Sequence, residues 1–233
     1  MQNQEPSIVF DQERAFSYDK QVGKLAPMRD ALHFLIRMVL SELPADARIL
    51  CIGAGTGAEL IDLAQAFPQW RFTAVEPAAP MLDICRQRAE DRGVASRCTF
   101  HEGYLDSLPE SGFFDAATCI LVSQFLMRPE ERRNLFRQIA ARLRPDGCLV
   151  SADLASDMAT SAYKNLFEVW ARTMRYSEMP AEELEKRLAS CGRDVAVLPP
   201  PEIESIIASS GFEVPVLFFQ TLLIHAWYSK LAS

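Results

Sequence analysis

Histidine is scarce in this chain, three residues in 233, and His33, His101 and His225 stand far apart. The six cysteines, Cys51, Cys85, Cys98, Cys119, Cys148 and Cys191, are also dispersed, and none forms a C-x-x-C pair. Zinc sites need such residues clustered, so no metal is expected. Four of the cysteines fall in strand-like apolar runs and read as reduced core thiols. No apolar run approaches the roughly 20 residues that cross a bilayer, and residues 1–6 are polar without a secretory pattern. No membrane association is expected, and the chain is assigned to the cytoplasm. Basic residues are outnumbered, 24 Lys and Arg against 31 Asp and Glu, for a formal charge of -7. That balance argues against a nucleic-acid partner, which needs a phosphate-neutralising face.

The 49% hydrophobic content suffices for one α/β core. Helical spacing marks 11–23 and 27–43, the second with Leu32, Leu35, Ile36, Val39 and Leu40 on one side. Short apolar runs then alternate with helices: strands at 48–52, 71–75, 97–101, 114–121 and 148–153, helices at 57–67, 80–91 and 129–143. The turn Arg144-Pro145-Asp146-Gly147 is expected to stop the last helix before its strand. Five strands joined by right-handed crossovers give a mostly parallel sheet, with ligands at its carboxyl edge. Helices at 155–176 and 180–190 break the rhythm, and a helix at 200–210 leads to apolar runs 214–219 and 222–228. The short turn around Gln220 and Thr221 makes these last two strands antiparallel.

Ile49-Leu50-Cys51-Ile52 runs directly into Gly53-Ala54-Gly55-Thr56-Gly57-Ala58 and then a helix. Glycines there let the backbone turn sharply and approach a ligand, so a cofactor cradle is the natural reading. Gly53, Gly55 and Ala58 also satisfy the G-x-G-x-x-G/A dinucleotide pattern, with Glu76 about 20 residues on to meet a ribose diol. The turn alone therefore suits a nicotinamide or S-adenosylmethionine. Two helices before the first strand, glycines at alternate positions and the antiparallel end favour S-adenosylmethionine. A glycine turn serving only helix packing would leave Glu76 a coincidence.

At this point the sequence resembles the class I S-adenosylmethionine-dependent methyltransferases, and within them the carboxy-S-adenosyl-L-methionine synthase group. The likeness rests on the glycine turn, Val75-Glu76-Pro77 with Met81-Leu82, Gln124-Phe125-Leu126 before Glu130-Glu131-Arg132, Leu143 to Gly147, Tyr176-Ser177-Glu178, and Gly211-Phe212 leading to Phe219-Gln220. It implies an α/β, Rossmann-like, seven-stranded mostly parallel sheet with an antiparallel C-terminal hairpin. The whole chain, 1–233, would be one domain, with N-terminal helices (1–45) covering the cofactor and a helical cap insertion (155–192).

The resemblance further implies that Gly53, Ala54 and Gly55 lie against the methionine part and that Glu76 holds the ribose hydroxyls with Pro77 beside it. Tyr104 and Leu105 would flank the adenine. Ile120 falls where the family has a polar contact, and Arg29 where the synthase has a tyrosine. Cys51 stands where an acid is usual and Tyr104 where an aspartate is. The arginine with which the synthase grips its extra carboxylate aligns near Ile206, in a window, 200–210, without Arg or Lys. Ordinary methyl transfer to a small-molecule acceptor is therefore inferred. Carboxy-S-adenosylmethionine synthesis for tRNA wobble-uridine modification and a catalytically silent cofactor-binding protein are the alternatives. The likeness also implies a homodimer.

Methyl transfer is an in-line displacement in which positioning dominates, with a base required only for a protonated acceptor. Candidates at the sheet edge or cap are Tyr18, Asp19, Ser123, Gln124, Asp153, Tyr163, Tyr176 and His225, of which Tyr18, Ser123, Gln124 and Tyr176 form the expected catalytic set. Asp153 reads rather as a helix cap and His225 as a hydrogen-bonded core residue. Phe167, Trp170, Met174, Tyr176 and Met179 would suit an apolar or aromatic acceptor, although ordinary packing explains them as well. Arg172, Arg175, Lys186 and Arg187 leave an anionic acceptor open.

Overall fold

The computed structural model describes residues 24–177 and 180–232; Tyr18, Asp19, Met179 and the helix expected at 11–23 lie outside them. The described chain opens with α1 (Ala26–Leu40), whose apolar side buries Leu32, Ile36 and Leu40. There follow β1 (Arg48–Ile52), α2 (Ala58–Ala66), β2 (Arg71–Glu76), α3 (Ala79–Asp91), β3 (Cys98–Glu102), β4 (Phe114–Ile120), α4 (Pro129–Ala140) and β5 (Leu143–Leu154). The cap helices α5 (Ser161–Tyr176) and α6 (Ala181–Ser190) precede α7 (Pro200–Ala208), and β6 (Val216–Thr221) and β7 (Ile224–Lys230) close the sequence.

The seven strands form one sheet in the order β3-β2-β1-β4-β5-β7-β6. The first five are parallel, and β7 runs antiparallel between β5 and β6. Two apolar clusters sandwich it, one beneath α1 and α2, the other beneath α4 and α7. That double burial explains why the parallel strands read as continuous apolar runs rather than alternating ones. A third cluster joins Tyr163, Trp170, Met174 and Leu184 of the cap to Leu154 and Leu223, with Leu25 and Met28 at the start of α1 against it. The cap therefore meets α1 at the carboxyl edge of the sheet.

Several boundaries differ from the sequence reading, three of them with a visible physical cause. Residues 144–147 do not stop a helix: α4 ends at Ala140, and these residues form an irregularity within β5, where the register jumps between Phe114 and Ala116 and Asp146 has φ +67°. The cap helix begins at Ser161 instead of 155, because the Thr160 hydroxyl accepts the Tyr163 N–H (3.1 Å) and sets its start there. The terminal hairpin turns at Leu222 and Leu223, two residues later than Gln220 and Thr221. Leu222 takes φ +50°, and both leucines pack with the cap cluster, so apolar contacts specify the turn without glycine or asparagine.

Candidate active site

The glycine turn joins β1 to α2. Gly53, Gly55 and Gly57 adopt φ of +62°, +55° and +81°, the left-handed region that side chains disfavour. Their surroundings differ. A Cβ on Gly53 would lie 2.4 Å from Val122 Cγ2, and one on Gly57 2.6 Å from Cys85 Sγ. A Cβ on Gly55 would meet nothing closer than Met81 Cε at 3.6 Å. Two glycines thus admit neighbouring side chains, and the middle one leaves space open.

Glu76, the last residue of β2, fixes that middle glycine. Its Oε2 accepts the Gly55 N–H and its Oε1 the Ala78 N–H, both at 2.9 Å. Burial raises its pKa, and the two backbone donors oppose the rise. Each carboxylate oxygen keeps acceptor capacity beyond its backbone bond, as a ribose diol requires. Pro77 follows on the surface.

Tyr104 and Leu105 part company. Tyr104 is 56% exposed, whereas Leu105 is buried in the core with Val75, Leu108 and Phe114. The Ser107 hydroxyl donates to the Tyr104 carbonyl (2.8 Å) and lies 2.9 Å from His101 Nε2, holding the loop after β3. Ile120 is half-buried at the end of β4, followed by Leu121 at φ +59°. Arg29, on α1, is paired with its neighbour Asp30 at 2.8 Å.

Beyond β4 lies a buried polar network. The Ser123 hydroxyl donates to both oxygens of Asp153, at 2.9 and 2.8 Å, and both residues are fully buried. Asp153 therefore does not cap the next helix, contrary to expectation; its carboxyl is consumed inside the fold. Gln124 accepts the Leu154 N–H through Oε1 (2.9 Å), and its carbonyl accepts the Ala196 N–H (2.8 Å). Arg132, 1% exposed, donates to the carbonyls of Leu126 (3.0 Å) and Ala196 (3.2 Å), and its Nη1 has no partner among the described residues. Ser123 and Gln124 thus bind the ends of β4 and β5 to the segment preceding α7.

Burial pushes Asp153 up to about 6, with Arg132 and Ser123 opposing. The folded state then holds a proton that the unfolded chain releases, so this contribution to stability falls as pH rises from about 4 to about 6 and is flat above. Asp153→Asn is expected to gain roughly 3 kcal/mol on the wild type across that window. Thermal denaturation at pH 4 and pH 7 checks it, and parallel curves for the two proteins would refute it.

Of the remaining candidates, Tyr163 is buried in the cap, and Tyr176 is 69% exposed with the Lys24 ammonium 5.6 Å from its ring centroid. His225 is a core residue as expected, its Nδ1 3.1 Å from the Leu223 carbonyl and its ring stacked on Trp227. Two residues received no role from the sequence. Arg132 sits in a charged run that reads as a solvated helix face. Glu59, in the first turn of α2, reads as a favourable helix-dipole charge, yet its Oε1 is buried without a partner among the described residues. It lies against Thr118, and burial pushes the Glu59 pKa up to about 7, with the Thr118 hydroxyl opposing the rise.

Residues 49–147 match the description of a methyltransferase domain. The chain is 25% identical over 175 residues to a carboxy-S-adenosyl-L-methionine synthase of Campylobacter jejuni, covering 73% of this chain and 71% of that protein. It is 24% identical over 218 residues to the Campylobacter lari protein of that name, covering 90% and 88%. A putative O-methyltransferase from Nostoc punctiforme superposes with a TM-score of 0.67 at 19% identity over 88% of this chain, which spans only 57% of that longer one. With the glycine turn and the sheet order, these likenesses support a class I S-adenosylmethionine-dependent methyltransferase.

Proposed function

We propose that the protein methylates a small-molecule acceptor. The observation that carries this reading is the cradle, in which Glu76 locks Gly55 while the space over that glycine stays open. When bound, S-adenosylmethionine would supply an electrophilic methyl carbon on its sulfonium, open to in-line attack by an acceptor lone pair with the sulfur leaving as a neutral thioether. Gly53, Ala54 and Gly55 receive the methionine part and Glu76 the ribose, with exposed Tyr104 against the adenine. Leu105 supports that loop from the core. Arg29 and Ile120 belong with the cofactor contacts and Tyr176 with the acceptor side, whereas Ser123 and Gln124 position that edge through Asp153 and Leu154.

Isothermal titration with S-adenosylhomocysteine tests the reading, with micromolar binding expected and no binding at millimolar ligand fatal to it. Glu76→Ala is expected to weaken binding about ten- to a hundredfold, the worth of one or two charge-assisted hydrogen bonds. An unchanged affinity would remove Glu76 from the site.

The synthase names of the Campylobacter relatives favour a second reading, carboxy-S-adenosylmethionine formation. Against it, Ile206 is 1% exposed and packs in the core beside Ile203, Ile207 and Phe212, and α7 carries no cation to grip a carboxylate. Mass spectrometry of the copurified nucleoside separates the two, since the carboxylated form is heavier. Free cysteines throughout the described fold suit a reducing, cytoplasmic setting. The proposed homodimer is checked by light scattering on the purified chain.

A further inference from the structure

We propose that Glu59 is a positioning residue that pairs with the α-ammonium of the bound cofactor, taking over from the first turn of α2 a charge that β1 does not supply. The inference rests on the cofactor reading above. On β1 the position two before Gly53 is Cys51, 2% exposed, its thiol held neutral by burial well above the ordinary range. It supplies no negative charge. Cys51 and Thr118 are direct partners across β1 and β4, and Glu59 lies against Thr118. The carboxyl therefore lies beside strand position 51, at the start of the helix that the glycine turn opens.

That carboxyl has no cation beside it among the described residues. The titratable groups acting on it or acted on by it are Asp62 on α2, Cys51 on β1 and Cys119 on β4, none of them a cation. On α1, Arg37 answers to Asp62 instead, 3.4 Å from it, and His33, held below its ordinary value by burial, also feels the Asp62 charge. A buried carboxyl without a counter-ion is costly, and it persists where a ligand supplies the partner. Glu76 already serves the opposite side of the turn, through Gly55 and Ala78. The amino-acid tail of the cofactor carries an ammonium, the one complementary group such a site would take.

The test compares two nucleosides on the full chain: S-adenosylhomocysteine, and 5′-methylthioadenosine, which keeps the adenosine and the sulfur but lacks the amino-acid tail. Glu59→Gln is expected to bind S-adenosylhomocysteine ten- to a hundredfold more weakly than wild type while binding methylthioadenosine unchanged. Affinity for S-adenosylhomocysteine within twofold of wild type overturns the proposal, and so does an equal loss for both nucleosides, which marks a scaffolding role. The wild type gives a variant-free readout. Pairing with an ammonium lowers the carboxyl pKa, so titration near pH 7 in buffers of different ionisation enthalpy should register proton release with S-adenosylhomocysteine and none with methylthioadenosine. Absence of that difference also overturns it. A wild type that binds neither nucleoside sinks the cofactor reading itself, an outcome distinct from these.

Discussion

Gly55→Ala is expected to bind S-adenosylhomocysteine about ten- to a hundredfold more weakly while lowering the melting temperature by only a few degrees. The folding cost is confined to one alanine at φ +55°, about 1 kcal/mol, because its Cβ would sit in ordinary contact, 3.6 Å from Met81 Cε. For a chain of this length that is a shift of roughly 2–4 °C. The binding loss arises because the same Cβ enters the space that the cofactor's methionine part would fill, where overpacking costs about 1–3 kcal/mol. Gly57→Ala should behave in the opposite way. Its Cβ would lie 2.6 Å from Cys85 Sγ and 3.3 Å from Cys85 Cβ, so that buried side chain must shift, and φ +81° adds strain. About 3 kcal/mol of stability should be lost. Calorimetry of binding and of unfolding on both variants separates the roles. Equal behaviour of the two would mean that the glycines serve only the backbone turn.

The parts of the fold that repeat were legible in the sequence. Runs such as Ile49–Ile52 are apolar throughout because both sheet faces are covered, and their alternation with helices pointed to a mostly parallel sheet. Gly53, Gly55 and Glu76 were legible because a turn and an acid at the next strand end are local signals. Where register or apolar packing decides, the sequence was mute. The turn at Leu222 and Leu223 has no turn residue, since its left-handed leucine is held by contacts with the cap. Asp153 looked like a helix cap because its partner Ser123 is 30 residues away. Glu59 drew no functional reading, because nothing local reveals that β4 places Thr118 against it.

Arg132→Leu should be among the most damaging single substitutions outside the turn, costing about 3–5 kcal/mol. The guanidinium is nearly inaccessible, and it balances Asp153 without a direct ion pair while tying the carbonyls of Leu126 and Ala196 together. Its removal leaves a buried carboxyl whose counter-charge is gone and two carbonyls without donors. Arg132→Lys should recover little, because one ammonium does not span two carbonyls that the planar fork reaches from Nε and Nη2. Adding Asp153→Asn to Arg132→Leu should restore about 1–2 kcal/mol, since the orphaned charge disappears while the carbonyls stay unpaired, a non-additivity that a double-mutant cycle in urea measures. Strict additivity would show that the two charges do not sense each other. The same substitution should reach the chemistry. With Leu126 released from Ala196, the acceptor-side edge after β4 keeps only the Gln124–Ala196 backbone bond as its tie to the segment before α7. Methyl transfer should then slow, while the affinity for S-adenosylhomocysteine, held at Gly55 and Glu76, changes little.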